Sequence, residues 1–419
     1  MTGAMRLGNS ASVEGDAWAS AVRSYGERLH GLAGAGHHVV SPLGAWLLLA
    51  LCAPLARNRE RDNLTDALGA DPQDATAFAK SLFSMPHPVV ACAAGVWVRH
   101  KLVTPGIAGW IADLPEAVDT GDVPAQAELD AWASERTSGL IAQFPGQITP
   151  DLMFLLASAL ATKITWDAPF EVVDSADLGE GAWARKVKRV LRAHPRHDNY
   201  LTVTRRAGTV GVHLAGTRAG LLVASVVAER NVAPGDVLGA AQEIVCHEAR
   251  RRGSISSLSL FKLPLGEGPA WTIDEARVET FSPNRREESI GSVMPAWTAD
   301  TQLDLAAESL GFPSAARAVG QALGAVDTSY RARHSATARF SALGFEAAAV
   351  TGIGAMALPG RRRRTRQRYA TIRFAHPYAV VAAVAGDGPV ASGPVAGPWG
   401  GLPVFSAWVS EPAEAEPSN

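Results

Sequence analysis

Cys246-His247-Glu248 sets a thiol, an imidazole and a carboxylate side by side, the residue types of an activated nucleophile. Neighbours on a helix or strand point in different directions, so this trio cannot converge on one atom. His194, His197 and Asp198, in HPRHDN, supply three metal-binding side chains with no partner cluster elsewhere in the chain. A structural site takes four matched ligands, so no metal is expected. Gly208–Gly216, GTVGVHLAG, lacks both the Lys-Ser/Thr of a phosphate loop and the GxGxxG spacing, and there is no G-x-S-x-G elbow. Nothing in these patterns points to an enzyme or a cofactor. The densest chemistry is basic: Arg361, Arg362, Arg363, Arg364, Arg366 and Arg368 fall within eight positions. Such a run reads as a solvated, self-repelling loop, as a patch for a polyanion, or as bait for a protease that cuts after arginine.

The segment carrying that run, SALGFEAAAVTGIGAMALPGRRRRTRQRYATIRF (Ser341–Phe374), is small-sided before the arginines and apolar after them. The elements around it change character along the chain. Trp18, Val22, Tyr25, Leu29 and Leu32 recur at helical spacing, and Ser41-Pro42 is a cap and first-turn pair opening the apolar run through Ala56. Ala125–Gln143 reads as another helix, and Leu152–Thr165 as a long apolar segment. Beyond it, Tyr200–Val203, Val210–Leu214, Gly220–Val227, Ser257–Leu265, Ala379–Ala385 and Val404–Val409 are strand-like. Early helices and late strands without βαβ alternation predict an α+β architecture.

With 419 residues, 47% of them hydrophobic, the chain can bury a large core, and a formal charge of −2 gives no global attraction to nucleic acid or an anionic membrane. Ala45–Ala56 is too short to span a bilayer, and the first residues show no charged start followed by an apolar core. Cys52, Cys92 and Cys246 lie far apart. A cytoplasmic, disulfide-free protein is the expectation.

Several motifs, in order, resemble the serpin family in its bacterial type. SPLGAWLLLAL (Ser41–Leu51) is similar to the family's Ser-Pro helix start, and ELDAWASERTSGLI (Glu128–Ile141) matches its next pattern at Trp132, Thr137, Gly139 and Ile141. KITWDAPFE matches Lys-x-x-Trp-x-x-Pro-Phe through Lys163, Trp166, Pro169 and Phe170. MPAWTADTQLDLAAESLGF, RHSATARFSALGFEAAAVT with His334, FAHPYAVV and PVFSAWVSEP follow the family order to the end, over some 370 residues.

The resemblance implies a single domain over 1–412, followed by a disordered tail at 413–419. It implies early helices around a large central mixed or antiparallel sheet, smaller sheets, and an exposed reactive-centre loop at about 344–370. Gly344, Phe345, Glu346, Ala347, Ala348, Ala349, Val350 and Thr351 would be the hinge from which the loop enters the sheet as a new strand. Ser41, Ser158, Lys163, Trp166 and His334 would control the sheet's opening. The cleaved bond would follow Leu358, Arg361, Arg362, Arg363, Arg364 or Arg366. The partner would be a trypsin-like or dibasic-cleaving serine protease, or a cysteine protease, trapped by a monomer. A polyanion at the arginines is a further candidate, and family analogy also admits an extracellular setting. Period-two alternation supports insertion: Phe345, Ala347, Ala349, Thr351, Ile353 and Ala355 share one face, with Glu346 on the other. Departures from the family pattern leave a second expectation, a binding protein that does not inhibit. Phe345 replaces a small residue, Ala342 an acidic one and Ser158 an Asn, Ala407-Trp408 replaces a usual Gly-Arg, and the stretch from Gly344 to Pro377 is about eight residues longer than typical.

Overall fold

The computed structural model describes the chain from 7 to 416, apart from 89, 138, 140, 145, 163–164, 218–219, 251–254, 281–283, 285, 326–331, 345–362 and 387–396. Its helices are α1 (Leu7–Ala33), α2 (Pro42–Cys52), α3 (Asn58–Leu68), α4 (Pro72–Ser84), α5 (Pro105–Ala112), α6 (Gln126–Arg136), α7 (Pro234–Ala249) and α8 (Phe312–Ala322). The strands are β1 (His38–Val40), β2 (Val90–Val98), β3 (Val118–Gly121), β4 (Phe154–Thr162), β5 (Glu171–Asp174), β6 (Arg189–Arg192), β7 (Asp198–Thr204), β8 (Gly208–Gly216) and β9 (Leu221–Val227). They continue as β10 (Gly266–Glu267), β11 (Trp271–Thr280), β12 (Arg286–Met294), β13 (Trp297–Asp304), β14 (Arg333–Phe340), β15 (Arg363–Arg373), β16 (Tyr378–Val384) and β17 (Pro403–Val409).

Capping starts the helices where the sequence has short polar side chains. Ser41 Oγ accepts from Gly44 N, Asp71 from Gln73 N and Thr104 from Ile107 N, each followed by proline at the first helical position. Every residue of α2 is buried, so it is a core rod and not a surface helix. Leu43, Trp46, Leu47, Leu49 and Leu51 are each at most 1% exposed. At about 1.5–3 kcal/mol for each aliphatic side chain, burial outweighs the order imposed on them.

An antiparallel six-stranded sheet, β1-β17-β16-β9-β8-β7, carries α7 on one face, with Val237, Ala241 and Val245 against Val212, Val226 and Val381. A mixed sheet runs β10-β11-β15-β12-β6-β5. The remaining strands form two blocks, β3-β2-β4 and β13-β14. The largest apolar cluster reaches from Ala19 to Ala415, so early helices and late strands share one core. Among the described residues no helix is long and apolar enough to cross a membrane.

Three expectations are corrected. The exposed loop does not run to 370. The backbones of Arg363, Arg364 and Arg366 belong to β15, which pairs antiparallel with β11 from Arg363 to Ile372 and, from Arg366 onward, parallel with β12. A protease cleft needs an extended segment with free backbone, so a bond such as Arg366-Gln367, inside a three-strand ladder, is a poor site. The basic run pairs because Glu275 on β11 neutralises Arg366 and Arg368 at 2.8 Å. The tail is also docked: Ala413 N donates to Ala296 O, Ala415 is 1% exposed, and Glu416 holds Arg339 at 2.7 Å. Finally, Ser257–Leu265 is no strand. Ser259 caps a short 3-10 turn at Leu260–Lys262, whose carbonyls Leu260 O and Leu263 O accept from Arg368.

Candidate functional site: a divided sheet and its joint

The two sheet blocks face one another through β4 and β14. β4 pairs with β2 on one side and β14 with β13 on one side; among the described residues neither strand has a ladder partner on its other edge. Both run toward a joint just beyond their C-terminal ends. There Thr165 bridges Gly344, Trp166 N donates to Leu343 O at 3.3 Å, Phe170 N donates to Ala342 O at 2.9 Å, and Trp166 Nε1 donates to Ser341 O at 3.0 Å. Rings close the joint behind these bonds. Trp166 lies 5.1 Å from Phe340 and 5.7 Å from Phe170, centroid to centroid, at the tilted and edge-on angles such pairs favour.

At the far end the blocks part around a cavity of about 620 Å³, lined by Gln126 and Asp130 of α6, by Phe144, by Leu155 on β4, and by Gln302 and Arg333. Leu155 stands ten residues before Thr165, and Arg333 eleven before Gly344. At about 3.3 Å per residue the two open edges run for roughly 35 Å between cavity and joint. An open β edge is a template for another strand. Each of the two edges is long enough to bond about eleven residues of extended chain. Gly344, the last described residue before the segment that would supply them, sits at φ 135, a conformation open to glycine and strained for other residues. Gly344→Ala is expected to lower stability by about 1–3 kcal/mol, read as a reduced urea midpoint with an unchanged slope.

Sequence-expected residues divide between joint and interior. Trp166 is at the joint. Ser41 and His334 meet directly: Ser41 N donates to His334 Nε2 at 3.1 Å, while Ser41 Oγ donates to Val404 O at 3.1 Å. Ser158 sits on β4 opposite Ala94 of β2, half-buried. Phe345–Thr351, Lys163, Leu358, Arg361 and Arg362 lie outside the described residues. Cys246 and His247 are not a reactive pair, since Cys246 is buried and burial pushes its thiol up to about 12. Glu248 is taken up by the Tyr200 hydroxyl at 3.1 Å.

What the sequence did not disclose is a set of buried histidines around the joint. His197 Nε2 donates to Ala168 O at 2.8 Å, which leaves its Nδ1 to accept from His213 Nε2 at 3.0 Å. Both rings pack on Phe170, at 4.8 and 5.2 Å. Deeper, His38 Nδ1 donates to Gly36 O, His30 Nδ1 to His38 Nε2 at 2.7 Å, and Ser406 Oγ to His30 Nε2 at 2.6 Å. This serine–histidine–histidine order is that of a proton relay, yet all three residues are at most 5% exposed, so no substrate reaches it. His37-His38 and His194/His197 were the local signals; Ser406 and His213 reach these rings only through the fold.

These rings are neutral and burial keeps them so. Loss of hydration pushes His197 and His334 down to about 4 and His30 to about 3, with His38 and His334 adding repulsion at His30. An unfolded histidine titrates near 6.5. Between about pH 6.5 and 4 the unfolded chain holds more protons than the folded one, so stability is full above that window and falls as pH drops through it. Each ring is worth up to about 3–5 kcal/mol. Urea midpoints are expected to be flat from pH 8 to 7 and to decline steadily from 6.5 to 4.5; a flat line throughout would mean the rings are solvated.

No family model and no curated protein matches the sequence. Solved structures do match in shape. A thermophilic serpin, tengpin, in its native state superimposes with a TM-score of 0.62 at 14% identity, covering 95% of this chain and 94% of that one. Human glycosylated kallistatin gives 0.63 at 13% identity, over 97% of this chain and 100% of that one. Human thyroxine-binding globulin, complexed with thyroxine, gives 0.62 at 12% identity over 96% of this chain and 100% of that one. The chain has the serpin fold.

Proposed function

We propose that the protein is a suicide-substrate inhibitor of a trypsin-like or dibasic-cleaving serine protease, acting as a monomer. The observation that carries this reading is the pair of open edges, β4 and β14, meeting at Gly344, from which the small-sided segment departs. That segment, 345–362, holds Leu358, Arg361 and Arg362 as the remaining cleavable positions. The bond after Leu358 is blocked by Pro359, so the bait is Arg361 or Arg362. The protease nucleophile adds to the arginine carbonyl, the C–N bond breaks, and the new amine leaves with a proton from the protease's general acid. The freed arm turns back at Gly344 and enters antiparallel between β4 and β14, carrying the tethered enzyme toward the cavity end. Pulling catalytic groups out of register by an ångström or so costs orders of magnitude in rate, so hydrolysis of the ester is slowed to the extent that the arm is drawn taut. The test is incubation with trypsin followed by a denaturing gel. A covalent adduct of the protease with the chain up to the cleaved arginine, released by hydroxylamine, is expected together with a free C-terminal fragment; two clean fragments and no adduct would refute inhibition.

One residue favours a second reading, a serpin-fold protein that is cut but does not trap. Phe345 follows Gly344 directly, beside a joint already filled by Trp166, Phe170 and Phe340. Thyroxine-binding globulin illustrates that this fold carries more than one task. Phe345→Thr is expected to raise the trapped fraction severalfold if the ring slows entry, and to leave it at zero if the protein is no inhibitor.

A further inference from the structure

Arg366 stands directly opposite Arg277 of β11 and directly opposite Arg286 of β12, so three arginines form one row across three strands. Residues paired in this way share a face with Cβ atoms about 5 Å apart, and like charges so placed destabilise a sheet. The neighbouring row does not neutralise them. Glu275 is taken up by Arg366, through both oxygens at 2.8 Å, and by Arg368. Glu288 is used inward, accepting from Leu260 N at 2.9 Å and from Ser259. Arg277 and Arg286 are exposed, and among the described residues neither lies within ion-pair distance of a carboxylate. Arg286 is also held flat on the face, its guanidinium 5.0 Å from the Phe261 ring centroid. The sheet thus presents two exposed guanidiniums without an ion pair among the described residues, that of Arg286 held in place, about two strand spacings, roughly 10 Å, apart.

We propose that this row is a docking surface for an acidic patch on the attacking protease. The proposal rests on the reading of 358–362 as the bait. Arg366 is four residues beyond Arg362, so at most about 14 Å of chain separates them. A standard interface covers about 800 Å² per partner, a patch of roughly 16 Å radius, so an enzyme gripping Arg361 or Arg362 also covers the row. Guanidinium forks favour carboxylates, and charges at the edge of an interface act on the association rate and its salt dependence.

Anionic and cationic trypsin share arginine specificity and differ in net charge, which makes them the probes. The second-order rate of cleavage within 358–362, with the site read by fragment mass, is measured at low and high salt. The wild type is expected to be cut about tenfold faster by the anionic form at low salt, with the ratio collapsing at high salt. The double variant Arg277→Gln/Arg286→Gln, checked for an unchanged melting temperature, should lose the ratio at both. A ratio that survives in the double variant overturns the proposal. So does retention on a sulfated-polysaccharide column lost in the variant with the trypsin ratio intact, which assigns the row to a polyanion. Charge-dependent cutting without an adduct would refute inhibition and leave the docking surface standing. A chain that neither enzyme cuts in 358–362 overturns both.

Discussion

Protein cut once by trypsin at Arg361 or Arg362 is expected to unfold about 10 °C above the intact chain, and to need more urea to do so. Cleavage ordinarily lowers stability, since it frees chain ends and adds entropy to the unfolded state. The opposite sign is expected because the cut releases an arm that the open edges of β4 and β14 can bond along roughly 35 Å. Insertion of about eleven residues forms on the order of ten or more ladder hydrogen bonds, each worth about 1 kcal/mol net, and removes two exposed edges. Unfolding entropy runs at about 2.1 cal/mol/K per residue, so for a chain of 419 residues 10 kcal/mol moves the transition by about 12 °C. The measurement is calorimetry on intact and cut samples, with the nick confirmed by mass. An unchanged or lower transition would mean the arm stays outside, which is the outcome the non-inhibitory reading expects. The urea slope supplies a second readout, because insertion adds to the surface exposed on unfolding.

Why parts of this were legible in the sequence and parts were not follows from how local each signal is. Ser41-Pro42 declares the start of α2 because cap and first-turn proline are adjacent, and the apolar run that follows is buried all round. Leu152–Thr165 is apolar on both faces, which periodicity cannot assign to helix or strand. It became β4 because both faces are covered: Leu155 and Ala157 pack with Trp97 and Leu129, while Phe154 joins the main core. The arginine run misled for a different reason. Its period of two, with Arg364, Arg366, Arg368, Ala370 and Ile372 on one face, is present in the sequence, but charge density is the usual mark of a solvated loop. The carboxylate that makes a strand of it, Glu275, lies ninety-one residues upstream of Arg366. The joint was half legible. Trp166 and Gly344 were marked by motif, whereas Phe340 and the His197–His213 pair are brought there only by the fold.

Removing residues 358–360 is expected to convert a leaky trap into an efficient one, raising the adduct fraction severalfold at an unchanged rate of first cleavage. The argument is one of length. Between joint and cavity the edges hold about eleven residues after Gly344, so 345–355 fill them. A cut after Arg361 leaves an arm of seventeen residues, 345–361, and six of those stay outside the slot. At about 3.3 Å each, six residues are a slack of roughly 20 Å, which lets part of the tethered protease keep its active site intact and hydrolyse the ester while the rest is trapped. Deleting three residues shortens the slack to about 10 Å, removes Pro359, and brings Arg361 to the position Leu358 now holds. Adding three glycines at the same place should act in the other direction, driving the partition toward clean cleavage while the cut product still shows its raised melting temperature. The readout is the ratio of adduct to cut inhibitor at fixed trypsin, in deletion, wild type and insertion. A ratio that ignores arm length would mean that trapping does not depend on how far the chain is drawn between β4 and β14.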